Sequence, residues 1–208
     1  MEQFADNVWL FDGPVVTAAL GFQYSTRMAV IRLSDGGLWV WSPVALPDLQ
    51  ASVAALGEVQ HIVQPSPLHD TWIKDWQAAY PKACVWGPNF DVVPPGAEIS
   101  HVIVPNRIAD ETVFFHHASG TVLICDLLQQ MPRDWYAGWR GVVARLDNMT
   151  GDVPQMPRKF RMALRPGARD ALRTVLGWPT ERLVIAHGPP VTQGAGRVLA
   201  RAFAPLRL

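Results

Sequence analysis

Short runs of β-branched and aromatic residues, separated by turn residues, open the chain. They predict strands at residues 7–11, 15–22, 27–33 and 38–41. The break between the last two contains Asp35-Gly36-Gly37, and glycine reaches the positive φ angles of a tight turn without a steric clash. The pattern therefore predicts an antiparallel meander that ends in a hairpin.

After Pro47 the apolar positions recur at helical spacing as far as Gly57, which predicts a helix. A strand at 61–63, a helix at 71–80 and a strand at 83–86 follow. This β-α-β-α-β order requires parallel strands, and α/β folds usually place ligands in the loops that leave the carboxyl ends of such strands. The loop at residues 64–70 holds that position.

The rest of the chain predicts a second sheet with helices around it. Strands are expected at 98–104, 111–116, 121–125 and 183–186; an amphipathic stretch at 127–148 and helices at 166–176 and 192–203 accompany them. Two strand-rich halves, each followed by helices, indicate an α/β protein in which two sheets pack face to face with the helices outside.

Composition narrows the functional classes. The 208 residues carry no net charge, with 49% hydrophobic and 17% charged residues, which is typical of one globular domain over 1–208 and argues against a nucleic-acid-binding surface. The 18 prolines and 16 glycines disfavour a helical bundle. Because no apolar run reaches membrane-spanning length and the N-terminus lacks a secretion signal, we expect a cytoplasmic protein that does not bind membranes, with Cys84 and Cys125 buried and reduced.

Three predicted strand ends carry side chains suited to chemistry. His69 and Asp70 end the 64–70 loop, Asp126 follows the strand at 121–125, and His187 precedes Gly188 after the strand at 183–186. Each has a simpler interpretation: Asp70 and Asp126 could cap helices, and a lone histidine is usually structural. Together they supply two imidazoles and two carboxylates, a ligand set that suits zinc or iron.

Other candidates have less support. His116 and His117 lie at a predicted hairpin where at least one imidazole should face solvent, and His61 and His101 have no acidic neighbour, so we interpret them as structural or exposed. Ser66 and Cys125 lack the sequence context of activated nucleophiles. The residues Arg27, Trp72 and Trp76 lie on elements beside the 64–70 loop and could border a pocket.

Four runs of the sequence resemble a known family: RMAVIRLSDGGLWVWSPV, VQHIVQPSPLHDTWIKDWQAAYP, ETVFFHHASGTVLICDL and ERLVIAHGPPV. In this order they are similar to the domain-of-unknown-function 4336 group, a branch of the metallo-β-lactamase-fold superfamily. The resemblance implies a four-layer αββα sandwich with a metal site.

The metal motif of that superfamily, His-x-His-x-Asp-His, would fall on residues 65–70. Pro65 and Pro67 would then replace two histidines of the first metal, and Asn106 would replace the third. His69 and Asp70 keep the remaining ligand types in exchanged places. Asp126 matches the bridging aspartate, and His187 matches the last histidine of the second metal.

These matches imply at most one metal ion, with zinc most favoured and iron or manganese next, held by His69, Asp70, Asp126 and His187. With Asp70 or Asp126 as general base, such a site would hydrolyse a small ester, lactone or phosphoester. The alternative is a metal-free, non-catalytic module for a ligand or partner, in which Asp126 caps a helix and pairs with His69 or His187. The aromatic stretch at 135–139 further predicts a homodimer.

Overall fold

The computed structural model describes residues 1–88 and 98–208. The strands in these residues are β1 (Glu2–Ala5), β2 (Val8–Thr17), β3 (Gln23–Arg32), β4 (Leu38–Trp41), β5 (Val59–Val63), β6 (Cys84–Trp86), β7 (Ile99–Val104), β8 (Glu111–His116), β9 (Thr121–Gln129) and β10 (Arg182–His187). The helices are α1 (Gln50–Ala54), α2 (Ile73–Ala79), α3 (Gly138–Leu146), α4 (Arg158–Met162), α5 (Ala168–Gly177) and α6 (Ala195–Phe203).

The strands form two sheets, as the sequence predicts. The first has the order β1-β2-β3-β4-β5-β6 and the second the order β10-β9-β8-β7. In the first sheet β1 to β4 are antiparallel neighbours, whereas β5 and β6 run parallel to β4 after the crossovers through α1 and α2. In the second sheet β10 runs parallel to β9. The predicted hairpin between β3 and β4 and the predicted parallel β-α-β-α-β unit are confirmed.

Alternating side chains of β4 show how the layers pack. Trp39 and Trp41 lie in the core between the two sheets, while Leu38 and Val40 lie in a separate core with residues of α1 and α2. Because successive strand residues point to opposite faces, a strand that is buried on both sides is apolar throughout. The outer face of the second sheet packs in the same way against α4, α5 and α6. The predicted αββα sandwich is confirmed.

The prediction of two separate strands at 7–11 and 15–22 is wrong. One long strand, β2, runs through Gly13 and Pro14, and its pairing with β3 shifts register between Gly13 and Val16. A β-bulge allows a strand to bend at such residues without ending. The pattern also missed β1, which pairs with β2 at the edge of the first sheet.

Asp126 lies inside a strand, which corrects a second expectation. The sequence predicted a strand end at Cys125, but β9 continues to Gln129 and the next helix, α3, begins only at Gly138. The hypothesis that Asp126 caps a helix is therefore wrong. Its carboxylate instead projects from a strand that is buried along its whole length.

Both cysteines are free thiols, and only one is buried as predicted. Cys125 lies in the core between the sheets, whereas Cys84 is exposed at the start of β6. Across the described ranges, none of the helices has the length and apolar character needed to span a bilayer.

Candidate metal centre

Two elements of the second sheet and one loop of the first bring three polar side chains together. Asp126 projects from β9, and His187 ends the neighbouring parallel strand β10. His69 comes from the loop that follows β5. The convergence of His69, Asp126 and His187 was predicted from their positions at or near strand ends.

Each imidazole faces one oxygen of the same carboxylate. His187 Nε2 lies 3.4 Å from Asp126 Oδ1, and His69 Nε2 lies 3.4 Å from Asp126 Oδ2. Asp126 and His187 are 6% and 5% exposed, so little solvent reaches the contact between them. Asp126 Oδ2 is buried and has no hydrogen-bond partner within residues 1–88 and 98–208. An unpartnered carboxylate oxygen in this setting is costly unless a cation or a proton compensates it.

The second nitrogen of each imidazole is held by a neighbouring strand or turn. His187 Nδ1 lies 2.7 Å from the carbonyl oxygen of Ser25, which can only accept a hydrogen bond. His69 Nδ1 lies 2.9 Å from the hydroxyl of Ser42. A neutral His187 that donates from Nδ1 must present the lone pair of Nε2 to the Asp126 carboxylate. Histidines that bind metals in proteins are usually held by their other nitrogen in this way.

These residues fit a divalent metal ion. In a tetrahedral site with metal–ligand bonds of roughly 2.0–2.1 Å, neighbouring donor atoms lie about 3.3 Å apart. Each Nε2 lies 3.4 Å from a different Asp126 oxygen, which is close to that spacing and long for a charged hydrogen bond, and ligand atoms of the three residues all lie within 4.8 Å of one another. The three side chains could therefore hold a metal, and two imidazoles with one carboxylate suit zinc or iron.

The charge of Asp126 is set by its surroundings. Burial raises the pKa of this carboxyl, but the imidazoles of His69 and His187 lower it more strongly, so its pKa lies well below the usual range. A carboxyl group with a lowered pKa suits a metal ligand, because only the deprotonated form offers its lone pairs to a cation.

A second carboxyl group, that of Glu111, holds the backbone of β9 around Asp126. It accepts hydrogen bonds from three consecutive backbone amides, those of Cys125, Asp126 and Leu127, at 2.7 to 2.8 Å. Burial and the neighbouring Asp126 raise the pKa of Glu111 to about 8. Glu111, Cys125 and Asp126 also lie close enough to share a metal, but the amides occupy the Glu111 oxygens. Glu111 therefore fixes the backbone at Asp126 and is not a metal ligand.

The prediction for Asp70 is corrected. This residue is exposed and lies outside the group formed by His69, Asp126 and His187, so it neither binds the proposed metal nor acts as its base. The cap interpretation also fails, because α2 begins at Ile73 without a side-chain cap, and Asp70 contributes only its backbone carbonyl to Ile73. Adjacent loop residues point in different directions, and His69 alone turns inward.

The residues that stand where the superfamily has histidine ligands of its first metal have structural roles in this chain. Asn106 is buried; its side-chain amide donates to the carbonyl of Phe160 and its oxygen accepts from the amide of Ile108. Pro65 is buried and its carbonyl accepts from the amide of Thr112. Neither residue offers a side-chain donor to a second metal.

The remaining histidines stay away from the centre, as expected. His116 is buried against Ser119, whereas His117 is exposed. His61 accepts a hydrogen bond from the indole of Trp86. His101 is exposed. No described group of potential metal ligands includes any of these four imidazoles.

The three residues expected to border a pocket have different positions. Trp72 lines the cavity above the centre, but Trp76 is fully buried beneath α2, where its indole donates to the carbonyl of Val44. Arg27 donates to the carbonyl of Gly188 and pairs with Asp12, so it holds the loop after His187 in place. Ser66 and Cys125, which the sequence did not favour as nucleophiles, are both completely buried.

A cavity of about 230 Å³ opens over the three ligands. Its walls are mainly apolar, and they also carry polar groups that the sequence did not single out: Tyr24, Gln129 and Lys159. Lys159 Nζ lies 3.2 Å from Asp147 Oδ2 and 3.4 Å from the Tyr24 hydroxyl. Lys159 belongs to α4, and no motif in the segment 131–160 could have identified it.

Residues 5–94 match the family model described as Domain of unknown function (DUF4336), so the resemblance to that group is confirmed for this part of the chain. A comparison with curated proteins finds no match. Solved metallo-β-lactamases match over almost the whole length. The chain has the metallo-β-lactamase fold.

Three solved structures illustrate how this metallo-β-lactamase fold compares. TMB-1 superposes with a TM-score of 0.64 at 8% identity, covering 100% of this chain and 97% of that chain. The mono-zinc form of FIM-1 from Pseudomonas aeruginosa gives 0.62 at 10% identity, covering 99% and 95%. The metal-soaked Flv1 flavodiiron core from Synechocystis sp. PCC6803 gives 0.62 at 11% identity, covering 97% and 59%. Identities this low show the fold alone.

Proposed function

We propose that the protein is a hydrolase that depends on one divalent cation bound by His69, Asp126 and His187. Zinc is the favoured ion, followed by iron or manganese. The observation that carries this proposal is the buried Asp126 carboxylate, which has an oxygen without a hydrogen-bond partner in the described structure and faces two imidazole Nε2 atoms at 3.4 Å.

The chain itself positions the groups that such chemistry requires. A divalent cation with an open coordination position supplies Lewis acidity, which activates water and polarises a carbonyl or phosphoryl oxygen. The carbonyl of Ser25 and the hydroxyl of Ser42 fix the orientations of the two imidazoles. Asp126 is the only carboxylate among the described residues that line the cavity. Because its pKa lies well below the usual range, Asp126 serves as a metal ligand in this proposal, and no side chain of the described cavity residues is assigned the general-base role predicted for Asp70 or Asp126.

The cavity limits the substrate to a small molecule. About 230 Å³ with mostly apolar walls, including Leu68, Trp72 and Ile108, favours a compact ester or lactone. Lys159 contributes one ammonium group to the wall, which would attract the negative charge of a phosphoester. The proposed substrate class is accordingly a small ester, lactone or phosphoester.

Two of the structural neighbours support a metal in this fold. FIM-1 is described in a mono-zinc form, and Flv1 is described as a flavodiiron core. Zinc and iron are also the ions that suit two imidazoles and one carboxylate. These neighbours support the choice of ions, and the single-metal stoichiometry rests on the replacement of the other ligands in this chain.

The experiment combines metal content with a substrate panel. Wild-type protein and Asp126→Asn are purified without a polyhistidine tag, analysed for bound elements, and assayed on esters, lactones and phosphodiesters with and without a chelator. We expect close to one equivalent of metal in the wild type, none in the variant, and hydrolysis only by the metal-loaded wild type. Hydrolysis that survives both chelation and Asp126→Asn would exclude this mechanism.

A second function is favoured by the loss of the other metal ligands at Pro65, Pro67 and Asn106. The protein would then be a non-catalytic, metal-free module for a small ligand or a partner. In that case His187 carries a proton on both nitrogens and forms an ion pair with Asp126. Metal titration separates the two functions, because only the hydrolase takes up zinc, iron or manganese after loading.

We also propose a cytoplasmic homodimer. Two free thiols, Cys84 and Cys125, suit a reducing compartment. Along α3 the side chains of Trp139, Val142 and Leu146 are 52%, 48% and 61% exposed, an apolar face that a second copy would cover. Light scattering should give a dimer mass for the wild type and a monomer mass for Leu146→Asp, whereas a monomeric wild type would contradict the proposal.

A further inference from the structure

A second cavity, of about 420 Å³, contains none of the candidate metal ligands and is rich in arginine. Arg145 comes from α3, Arg161 from α4 and Arg201 from α6, and Arg133 comes from the segment after β9. Four separate parts of the chain therefore bring guanidinium groups to one cavity. Nothing in the proposed hydrolase function uses them.

The charges of this cavity are not balanced by the protein. Arg133 forms a bidentate ion pair with Asp152, with distances of 2.6 and 3.1 Å, and Asp152 is the only acidic residue among the described cavity residues. Arg145, Arg161 and Arg201 form no ion pair with any carboxylate in the described ranges. Arg145 and Arg201 are exposed and Arg161 is half-buried, so all three guanidinium groups are free to bind an anion in the cavity.

An unsatisfied hydroxyl group lines the same cavity. Thr150 is only 9% exposed, and its Oγ1 is buried without a hydrogen-bond partner in the part of the chain that the structure describes. Leaving a buried hydroxyl unpaired costs about 1–3 kcal/mol, so such groups are usually satisfied by water or a ligand. An acceptor oxygen in the cavity would satisfy the Thr150 hydroxyl.

We infer that this cavity binds a small molecule that carries a phosphate or diphosphate group. Guanidinium groups match phosphate oxygens in planar, bidentate hydrogen bonds, and those oxygens only accept, as the Thr150 hydroxyl requires. A phosphate monoester carries about −1.5 to −2 charges at pH 7, which offsets most of the surplus from Arg145, Arg161 and Arg201. The volume exceeds that of a phosphate group alone and leaves room for an organic part.

The inference is tested by isothermal titration with inorganic pyrophosphate as the probe. The protein is treated with a chelator, so that no metal at His69, Asp126 and His187 contributes, and ionic strength is held constant with chloride. Arg161→Gln and Arg201→Gln each remove one guanidinium group from the cavity. Arg107→Gln is the matched control, because Arg107 is an exposed arginine that does not line the cavity.

We expect saturable binding of one pyrophosphate to the wild type and to Arg107→Gln, and affinities weaker by about tenfold or more in Arg161→Gln and Arg201→Gln. Thr150→Val should weaken binding about fivefold, yet leave the unfolding midpoint of the free protein unchanged or higher, since it removes an unpaired hydroxyl.

Three results would overturn the inference. The first is no saturable binding by the wild type. The second is an equal loss of affinity in Arg107→Gln, which would indicate a general charge effect. The third is a single-stranded oligonucleotide that binds more tightly than pyrophosphate, which would indicate a surface for polyanions. Failure of the hydrolase proposal leaves the expected binding intact, because the titration is done without metal.

Discussion

The carbonyl oxygen of Ser25 lies 2.7 Å from Nδ1 of His187. A carbonyl cannot donate, so the ring nitrogen must carry the proton, and the neutral imidazole then has its lone pair on Nε2. That lone pair faces Asp126 Oδ1, 3.4 Å away. Two electron-rich atoms are stable in this arrangement only with a cation between them or an additional proton on the ring.

The hydrogen bond from His187 to Ser25 can be separated from metal binding by substitution. In His187→Asn the side-chain amide nitrogen occupies nearly the position of Nδ1, so it still donates to the Ser25 carbonyl. No atom of the asparagine replaces Nε2, the metal-binding nitrogen that faces Asp126. We expect zinc affinity to fall at least about 100-fold while the free energy of unfolding of the metal-free protein changes by less than about 1 kcal/mol.

His187→Gln is the matched control, because its amide nitrogen replaces Nε2 and it loses the donor to Ser25. Zinc titration and urea denaturation of both variants provide the measurements. Equal zinc affinity in the wild type and His187→Asn would show that His187 is not a ligand.

Ser42 should affect zinc affinity only by fixing the orientation of the His69 imidazole. Its hydroxyl lies 2.9 Å from His69 Nδ1, and it sits at a positive φ of 50° directly after β4, which turns the side chain toward the loop. Removing the hydroxyl in Ser42→Ala frees the imidazole to rotate. We expect zinc affinity to drop by about 10- to 100-fold.

The readout for Ser42→Ala is competition with a chromogenic zinc chelator. Ser34→Ala serves as control, since Ser34 is exposed and bonds to Glu98 far from His69. A Ser42→Ala protein with wild-type affinity would mean that other contacts fix the His69 ring.

Glu111 should matter for stability more than any other acidic residue of the second sheet. In Glu111→Ala three buried backbone amides of β9 lose their acceptor, and each unpaired group costs about 1–3 kcal/mol. We expect the free energy of unfolding to fall by about 3 kcal/mol or more in urea denaturation. Glu181→Ala, at an exposed side chain, should change it by less than about 0.5 kcal/mol. A loss below about 1 kcal/mol in Glu111→Ala would contradict the anchoring role.

Because His116 is buried, we expect the folded protein to become less stable in mild acid. Burial lowers its pKa, and its Nδ1 must donate to Ser119, because the Ser119 hydroxyl itself donates to Thr121. In the unfolded chain a histidine has a pKa of about 6.5, so the unfolded state takes up a proton first as the pH falls. The stability is therefore complete above that value and declines below it, until the lower folded-state pKa is passed.

The test compares His116→Asn with the wild type in urea denaturation between pH about 7.5 and about 5. The asparagine amide keeps the donor to Ser119 but does not titrate, so the decline with acid should be smaller. His117→Asn, at an exposed neighbour, controls for the local change. If the decline is the same in the wild type and in His116→Asn, the buried imidazole does not produce it.

Much of the fold was predictable because the strands have a clear period. The run around Trp39 and Trp41 is apolar at every position, which indicates a strand covered on both faces, and the turn at Asp35-Gly36-Gly37 fixes its hairpin. The end of β9 was misplaced, since its last residues are as apolar as a helix face. Tertiary pairing with β10 and the Glu111 anchor extend the strand past Cys125.

The candidate site was predictable in part. Asp126 and His187 were found because polar residues at or near the ends of apolar strands stand out. The choice between His69 and Asp70 depends on the direction of adjacent side chains in a loop, which no periodicity encodes. Ser25 contributes only its backbone carbonyl, and Lys159 enters the cavity from a helix with no motif, so neither could be recognised from residue type.

We expect one cation to lie between His69, Asp126 and His187, and anomalous X-ray scattering tests this most directly. Crystals of zinc-loaded protein would be measured on both sides of the zinc absorption edge. We expect one anomalous peak at bonding distance, about 2.0–2.2 Å, from His69 Nε2, His187 Nε2 and an Asp126 oxygen, and no peak there in Asp126→Asn. Loaded crystals with no peak among these three side chains would contradict the claim.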